Sequence, residues 1–395
     1  MSDNVKFEQR MCADGNHQIG IVTLDNPSSL NALTFDMLSQ LYDLLLLWRD
    51  DPSIACVLLE GEGSKAFCAG GDVRAMHDVM SNKTKALAQE FCTSYFTLEY
   101  QCDFLIHTYP KPVIGWGEGI VMGGGMGLFM GASHKVVTPN SRLAMPEVTI
   151  GLYPDVGGTW FLNRLDEGIG LFLGLTGVMV NASDAVDIRL ADCMLLAESR
   201  TRLIETLQIQ YWPKQHLSDG VDETLEESHN IVCDVLSLLS EHAAADIEEQ
   251  SPTKQLMPFY AKIKAACQVG DITNICEKIS QIDIEGHTEQ EAKWMARAQQ
   301  SLRSGSPITA HLCYRQIMQY HSLSLADCFR LELGLSVSCA LLGEFQEGVR
   351  ARLIDKDGEP RWLYTTIEEV DTGVIDDLFM SLWEPESHPL ALLGK

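Results

Sequence analysis

The stretch Val113-Ile114-Gly115-Trp116-Gly117-Glu118-Gly119-Ile120-Val121-Met122-Gly123-Gly124-Gly125-Met126-Gly127 leaves a chain few ways to fold. Val113 to Trp116 reads as a short buried strand. Gly117 and Gly119 let the backbone turn where a side chain would resist. The Gly123 triplet then opens a helix. Gly119, Gly123, Gly127 and Gly131 recur every fourth residue, so from Gly123 onward one helix face carries no side chains and can lie against a neighbour. A helix start also presents free backbone N–H groups that favour negative charge, which makes Gly124 a place for an oxyanion. Two acids follow in turn-forming segments: Glu147 in Met145-Pro146-Glu147 and Asp155 in Tyr153-Pro154-Asp155-Val156-Gly157-Gly158. A glycine stripe alone is more often a packing face than a site. Here Pro112, Pro146 and Pro154 fix the turns and the acids sit within them, a combination of donors and carboxylates suited to acyl chemistry.

The flanking chain reads as alternating strands and helices. Ile19 to Leu24 and Ile54 to Leu59 are apolar, β-branched runs, hence strands. Thr34 caps a helix from Phe35 to Trp48, with apolar residues at core spacing. Asp72 caps another near Val73, and a helical region continues to about His107. Lys135 to Thr138 and Leu143 to Met145 are short strands. The alternation implies βαβ units and a largely parallel sheet, so the fold class is α/β. After Gly157 the pattern becomes helical, with segments from Thr159, Glu167, Ser183, Glu198, Ser228, Met257, Thr273, Thr288, Ser306-Pro307 and Leu325. Tyr211 to Glu227, polar and holding Pro213 and Gly220, reads as a boundary or a mobile insertion. The expected division is therefore a core over residues 1–210 and a mainly helical region over 211–395.

Composition excludes several functions. A formal net charge of -26 on 395 residues argues against nucleic acid and anionic membrane. Twelve cysteines without a Cys-x-x-Cys pair fit a reducing compartment, and neither they nor the eleven histidines show metal-ligand spacing. Met1 to Arg10 is neither secretory nor Arg-rich, so the expected location is cytoplasmic. No Walker loop, Gly-x-Gly-x-x-Gly, Gly-x-Ser-x-Gly or His-Glu-x-x-His is present, which removes the common nucleotide, dinucleotide, serine-hydrolase and zinc-protease readings.

Taken singly, each candidate has an ordinary alternative. Gly71 fits a turn residue before a capped helix, yet paired with Gly124 it would give two N–H donors to one oxygen. Glu147 lies among Leu143, Met145 and Val148, where a carboxylate is expensive unless paired or used. Asp155 suits a turn. Glu99, on the long helix, reads alone as a surface acid. Cys68 is tempting beside Gly70-Gly71, but only His77 is near, and a small buried thiol is the better reading.

As an ordered set, Asn31-Ala32-Leu33, Ala66-Phe67-Cys68-Ala69-Gly70-Gly71-Asp72, the Gly123 helix, Met145-Pro146-Glu147 and Gly151 to Gly158 resemble the crotonase (enoyl-CoA hydratase/isomerase) superfamily. Ser306-Pro307 and Phe345-Gln346-Glu347-Gly348-Val349-Arg350-Ala351 extend the resemblance, within that superfamily, to the 3-hydroxyisobutyryl-CoA hydrolases. The resemblance implies a spiral of ββα units with a helical C-terminal region. It implies hydrolysis of a short branched 3-hydroxyacyl-CoA thioester, as in valine degradation, with CoA as part of the substrate and no separate cofactor or metal. Gly71 and Gly124 would be the oxyanion hole, and Glu147 and Asp155 the catalytic acids. Glu99, Gly124, Glu147 and Asp155 would contact substrate. One hydratase acid falls at Gly127, which argues against hydration. Ser28-Ser29 stands where the family often carries a cation for the CoA phosphates, leaving Lys65 and Arg74 as substitutes. The partners expected are an acyl-CoA and, as an open alternative, further copies of the chain, with no nucleic acid and no membrane. The competing readings are an enoyl-CoA hydratase or isomerase and a non-catalytic acyl-CoA-binding protein.

Overall fold

Continuous apolar runs dictate the first element of the architecture. In the computed structural model, which describes residues 4–213 and 223–395, Ile54–Gly61 and Val113–Gly117 are strands whose residues are buried almost without interruption. Strands covered on both faces pair in parallel, joined by helical crossovers. The strands of this sheet are β1 (Val5–Met11), β2 (Gln18–Leu24), β3 (Ile54–Gly61), β4 (Val113–Gly117), β5 (His134–Val137) and β6 (Cys193–Met194), hydrogen-bonded in that order. β2 to β6 run parallel, and only β1 is antiparallel to its neighbour. β1 is exposed along nearly its whole length, and Lys6, Glu8 and Arg10 blunt that edge against further pairing.

The chain divides into two compact units, each assembled from three separate segments. The sheet belongs to the first, formed by Met1–Gly70, Leu105–Leu143 and Asn181–Thr253. The Phe35–Asp50 helix is capped by the Thr34 side chain, which accepts from the Met37 N–H, and buries Met37, Leu38, Leu41, Leu45 and Trp48. Lys111 anchors the approach to β4. Its buried ammonium donates to the Trp48 carbonyl at 2.6 Å and to that of Asp51, at the C-terminus of that helix. On the sheet, Ile19, Ile21, Leu58, Ile114 and Trp116 pack with Leu203, Leu207, Val232 and Leu236 of the Ser199–Gln208 and Glu223–His242 helices. Of the expected boundary or insertion at Tyr211 to Glu227, residues 214–222 lie outside the described residues.

The second unit, Gly71–Phe104, Ala144–Val180 and Lys254–Lys395, is mainly helical. The helical region expected up to His107 is two helices, Val73–Asn82 and Lys85–His107, broken at Lys83 and Thr84. Asp72 caps the first through the Ala75 N–H. Ser306 caps Pro307–Gln319, and Ser324 caps Leu325–Leu342. The helix expected from Thr159 is a single turn, Gly158–Phe161, followed by the 3-10 turn Leu162–Arg164.

Candidate active site

Glu147 is placed by glycines. It opens a 3-10 turn, Glu147–Ile150, after Pro146. A methyl group on Gly348 would collide with the Ile150 carbonyl, so the Glu344–Val349 helix lies directly on that turn. The Ser306 N–H donates to the Val148 carbonyl at 2.9 Å and ties the turn to the following helix. This explains why Gly348 and Ser306, distant in sequence, accompany Met145-Pro146-Glu147. The carboxyl that results is buried, and its Oε2 has no hydrogen-bond partner. Burial, then the charges of Asp155 and Glu99, push Glu147 well above the usual carboxylate range.

Asp155 is held by a different device. Val156 beside it adopts φ of 51°, a left-handed conformation that a β-branched side chain disfavours. The segment is pinned on both sides. Gln316 Nε2 donates to the Pro154 carbonyl at 2.6 Å. The Gly157 and Thr159 N–H groups donate to the two carboxyl oxygens of Glu332 at 2.7 and 2.8 Å. The Asp155 Oδ2 accepts from the Tyr100 hydroxyl at 2.6 Å. Burial raises Asp155 to about 6, opposed by that hydrogen bond and others. Burial also raises Glu332, to about 8, although its backbone donors favour the ionised form.

Glu99 is not the surface acid that its sequence context implies. It is 3% exposed, because the Lys85–His107 helix is buried around much of its circumference, as its own Tyr95, Phe96, Tyr100, Cys102 and Asp103 show. Burial and the Asp155 charge raise it well above the usual range. Asp103, one turn further on, is fully buried with neither carboxyl oxygen paired, and it too is raised. The second unit therefore brings Glu99, Glu147 and Asp155 into mutual electrostatic range and adds Asp103 and Glu332. Carboxyls that repel one another out of water ionise in sequence rather than together, the condition for acid and base roles near neutrality.

Gly71 stands at the start of this unit. A side chain there would meet the Tyr95 hydroxyl at 2.8 Å and Glu99 Oε1 at 3.4 Å, so glycine leaves the backbone bare beside Glu99. Gly124 belongs to the first unit. It opens the Gly124–Gly131 helix after Gly123, so its N–H has no intrahelical acceptor. A Cβ on Gly70 would lie 3.7 Å from the Gly124 nitrogen. The tightest approach along this helix is at Gly125, whose missing side chain faces the Cys68 carbonyl, rather than along the four-residue stripe itself. Cys68 is buried. Lys65 and Arg74 are exposed. Among the described residues, no three His, Cys, Asp or Glu side chains are arranged to hold a metal ion, and no helix is long and apolar enough to cross a membrane.

The sequence model of the enoyl-CoA hydratase/isomerase family matches residues 19–379. The chain belongs to this family. Among its curated members, the chain is similar to the mitochondrial 3-hydroxyisobutyryl-CoA hydrolase of Xenopus tropicalis, with 34% identity over 92% of this chain and 86% of that one. The human protein of the same name is 32% identical over 96% and 89%. Two solved family structures superpose along nearly the whole length. An enoyl-CoA hydratase from Rhodobacter sphaeroides has a TM-score of 0.76 and 28% identity over 96% of this chain and 98% of that one. A carnitinyl-CoA dehydratase from Mycobacterium thermoresistibile has 0.77 and 26%, over all of both chains. The crotonase-type fold expected of the sequence is thus the fold of the chain. Sequence reasoning missed Tyr100, Tyr153, Glu332 and Ser336. Glu332 carried a signal: it lies in Leu331-Glu332-Leu333-Gly334-Leu335, an acid in an apolar run, as Glu147 does.

Proposed function

We propose that this enoyl-CoA hydratase/isomerase family member hydrolyses 3-hydroxyisobutyryl-CoA to 3-hydroxyisobutyrate and CoA, a step of valine degradation. The observation that carries the reading is Glu147: a buried carboxyl with one oxygen unpaired, in electrostatic range of a second carboxyl, Asp155, that keeps a hydroxyl donor. The names of the curated relatives support the same reaction. In this reading the Gly71 and Gly124 amides stabilise the tetrahedral oxyanion, a contribution of about 2.7–4 kcal/mol for each donor of this kind. Glu147 drives attack on the thioester carbonyl, as nucleophile through a mixed anhydride or as the base for water. Glu99 and Asp155 contact the acyl group, and Asp155 meets its 3-hydroxyl. Lys65 and Arg74 attend the CoA phosphates. Nothing beyond the substrate's own CoA is required as cofactor, and homo-oligomerisation is compatible with the scheme. The relatives are named mitochondrial, which counts against the cytoplasmic expectation.

Thiol release from 3-hydroxyisobutyryl-CoA tests the reading. Glu147→Gln is expected to lower the rate at least ~100-fold with substrate binding largely kept, and unchanged turnover would refute it. Borohydride quenching during a single turnover separates the two roles of Glu147, because only the anhydride route places an acyl group on its carboxyl and so lets it be reduced. The second reading, a hydratase or isomerase, draws support from the names of the two solved neighbours. Loss of crotonyl-CoA absorbance without thiol release would establish it instead.

A further inference from the structure

Behind Asp155 runs a chain of hydroxyls inside the second unit. The Asp155 Oδ2 lies 2.6 Å from the Tyr100 hydroxyl, which lies 2.7 Å from that of Ser336. Ser336 lies 2.8 Å from the Tyr153 hydroxyl, and Tyr153 donates to the Glu332 backbone carbonyl at 2.7 Å. All five residues are buried. Four oxygen–oxygen contacts need four hydrogens. With Asp155 ionised, Tyr100, Ser336 and Tyr153 supply three, and a carbonyl supplies none. Ser336 is the point of conflict, because its single hydrogen is claimed by Tyr100 and Tyr153, and it also favours ionised Asp155. A proton on Asp155 Oδ2 provides the fourth hydrogen. Each hydroxyl then donates to the next, from Asp155 through Tyr100, Ser336 and Tyr153 to the Glu332 carbonyl.

We propose that Tyr100, Ser336 and Tyr153 are positioning residues that set the proton affinity of Asp155, and that Asp155 Oδ2 carries the mobile proton of the hydrolysis. This rests on the thioesterase reading above. The step follows the nucleophile route: as a Glu147 oxygen bonds to the thioester carbon and the C–S bond breaks, Asp155 gives its proton to the departing sulfur, and CoA leaves as the thiol. As water then adds to the acyl carbon of the anhydride, its O–H bond breaks, the proton returns to Asp155, and Glu147 leaves as the carboxylate. Other groups also bear on Asp155. Glu99 and Asp103 face it from the Lys85–His107 helix, Glu147 from its own turn, and Glu332 and Cys339 from the Leu325–Leu342 helix. These acids favour its protonated form and are the same in each variant below.

The test uses two near-isosteric variants whose effects have opposite sign. Tyr153→Phe does not touch Asp155, yet it removes one claim on the Ser336 hydrogen, which is then free to serve Tyr100 or the Asp155 carboxylate, so ionised Asp155 loses that penalty. The limb of the pH profile that reports Asp155 moves down by roughly one pH unit. Tyr100→Phe removes the donor to the carboxylate and moves the same limb up by a similar amount. The second readout needs no turnover: the carboxyl band of Asp155 in isotope-edited infrared spectra of the unliganded protein, assigned with Asp155→Asn, moves in the same two directions. A Tyr153→Phe titration that coincides with the parent overturns the proposal, as do shifts of the same sign in both variants. If the titrations split as expected while no thioester is cleaved, the hydroxyl chain stands and the hydrolase reading falls.

Discussion

Glu332 offers the sharpest test of how burial governs this site. Its two oxygens accept the Gly157 and Thr159 N–H groups, and it is fully buried. Burial places its proton affinity at about 8, against 4.5 for the free side chain. A native pKa above the unfolded value means that the folded state holds the proton more tightly. The stabilisation is therefore fully present below about pH 4.5 and is lost as pH rises through about 8. At about 1.36 kcal/mol per tenfold change in proton affinity, the span amounts to roughly 5 kcal/mol. Glu332→Gln never titrates. Its amide accepts one of the two N–H groups and leaves the other buried and unpaired, a deficit of about 1–3 kcal/mol at every pH. The acids common to both proteins cancel to first order in the difference. Urea unfolding should then show the variant less stable near pH 4.5, with the gap closing at about 1.4 kcal/mol per pH unit, reversing between about pH 5 and pH 7, and leaving the variant more stable by about 2–4 kcal/mol near pH 9. A difference that stays constant across that range would refute the argument, because it would mean that Glu332 keeps one protonation state throughout.

Three further outcomes follow from the same geometry. Gly125→Ala sets a methyl against the Cys68 carbonyl and within 2.8 Å of the Cys68 Cβ, so it should destabilise the fold by about 3 kcal/mol or more, read from the urea midpoint. Asp103→Val replaces a fully buried acid with no partner by an apolar side chain of similar size. It should raise stability near pH 8 by about 1–3 kcal/mol, and a loss would show that Asp103 has a partner in solution. Asp155→Asn should reduce kcat/KM for 3-hydroxyisobutyryl-CoA about tenfold more than for the analogue lacking the hydroxyl, and equal losses would remove Asp155 from recognition of that group.

How much of this was legible in the sequence depended on the range of the interaction. Thr34, Asp72, Ser306 and Ser324 cap helices through N–H groups three residues on, so local pattern sufficed for the first three. Ile54 to Leu59 is buried along its length, and an unbroken apolar run announces a parallel strand. The reading of Glu99 alone as a surface acid failed because helical spacing reports one buried face, and this helix is buried on more than one. The burial of Glu147 was legible because an acid among apolar residues carries an energetic contradiction that must be resolved somewhere in the fold. The same contradiction at Glu332 resolves onto two backbone donors of the Asp155 turn. Nothing local marks Tyr100 and Ser336, which meet across 236 residues of chain with ordinary helical neighbours. Their contact matters only because both hydroxyls must share too few hydrogens, a property of the folded network and of no segment within it. Buried acids, read from sequence, therefore mark the candidate site. The groups that decide which acid holds a proton emerge only when the hydrogens between them are counted.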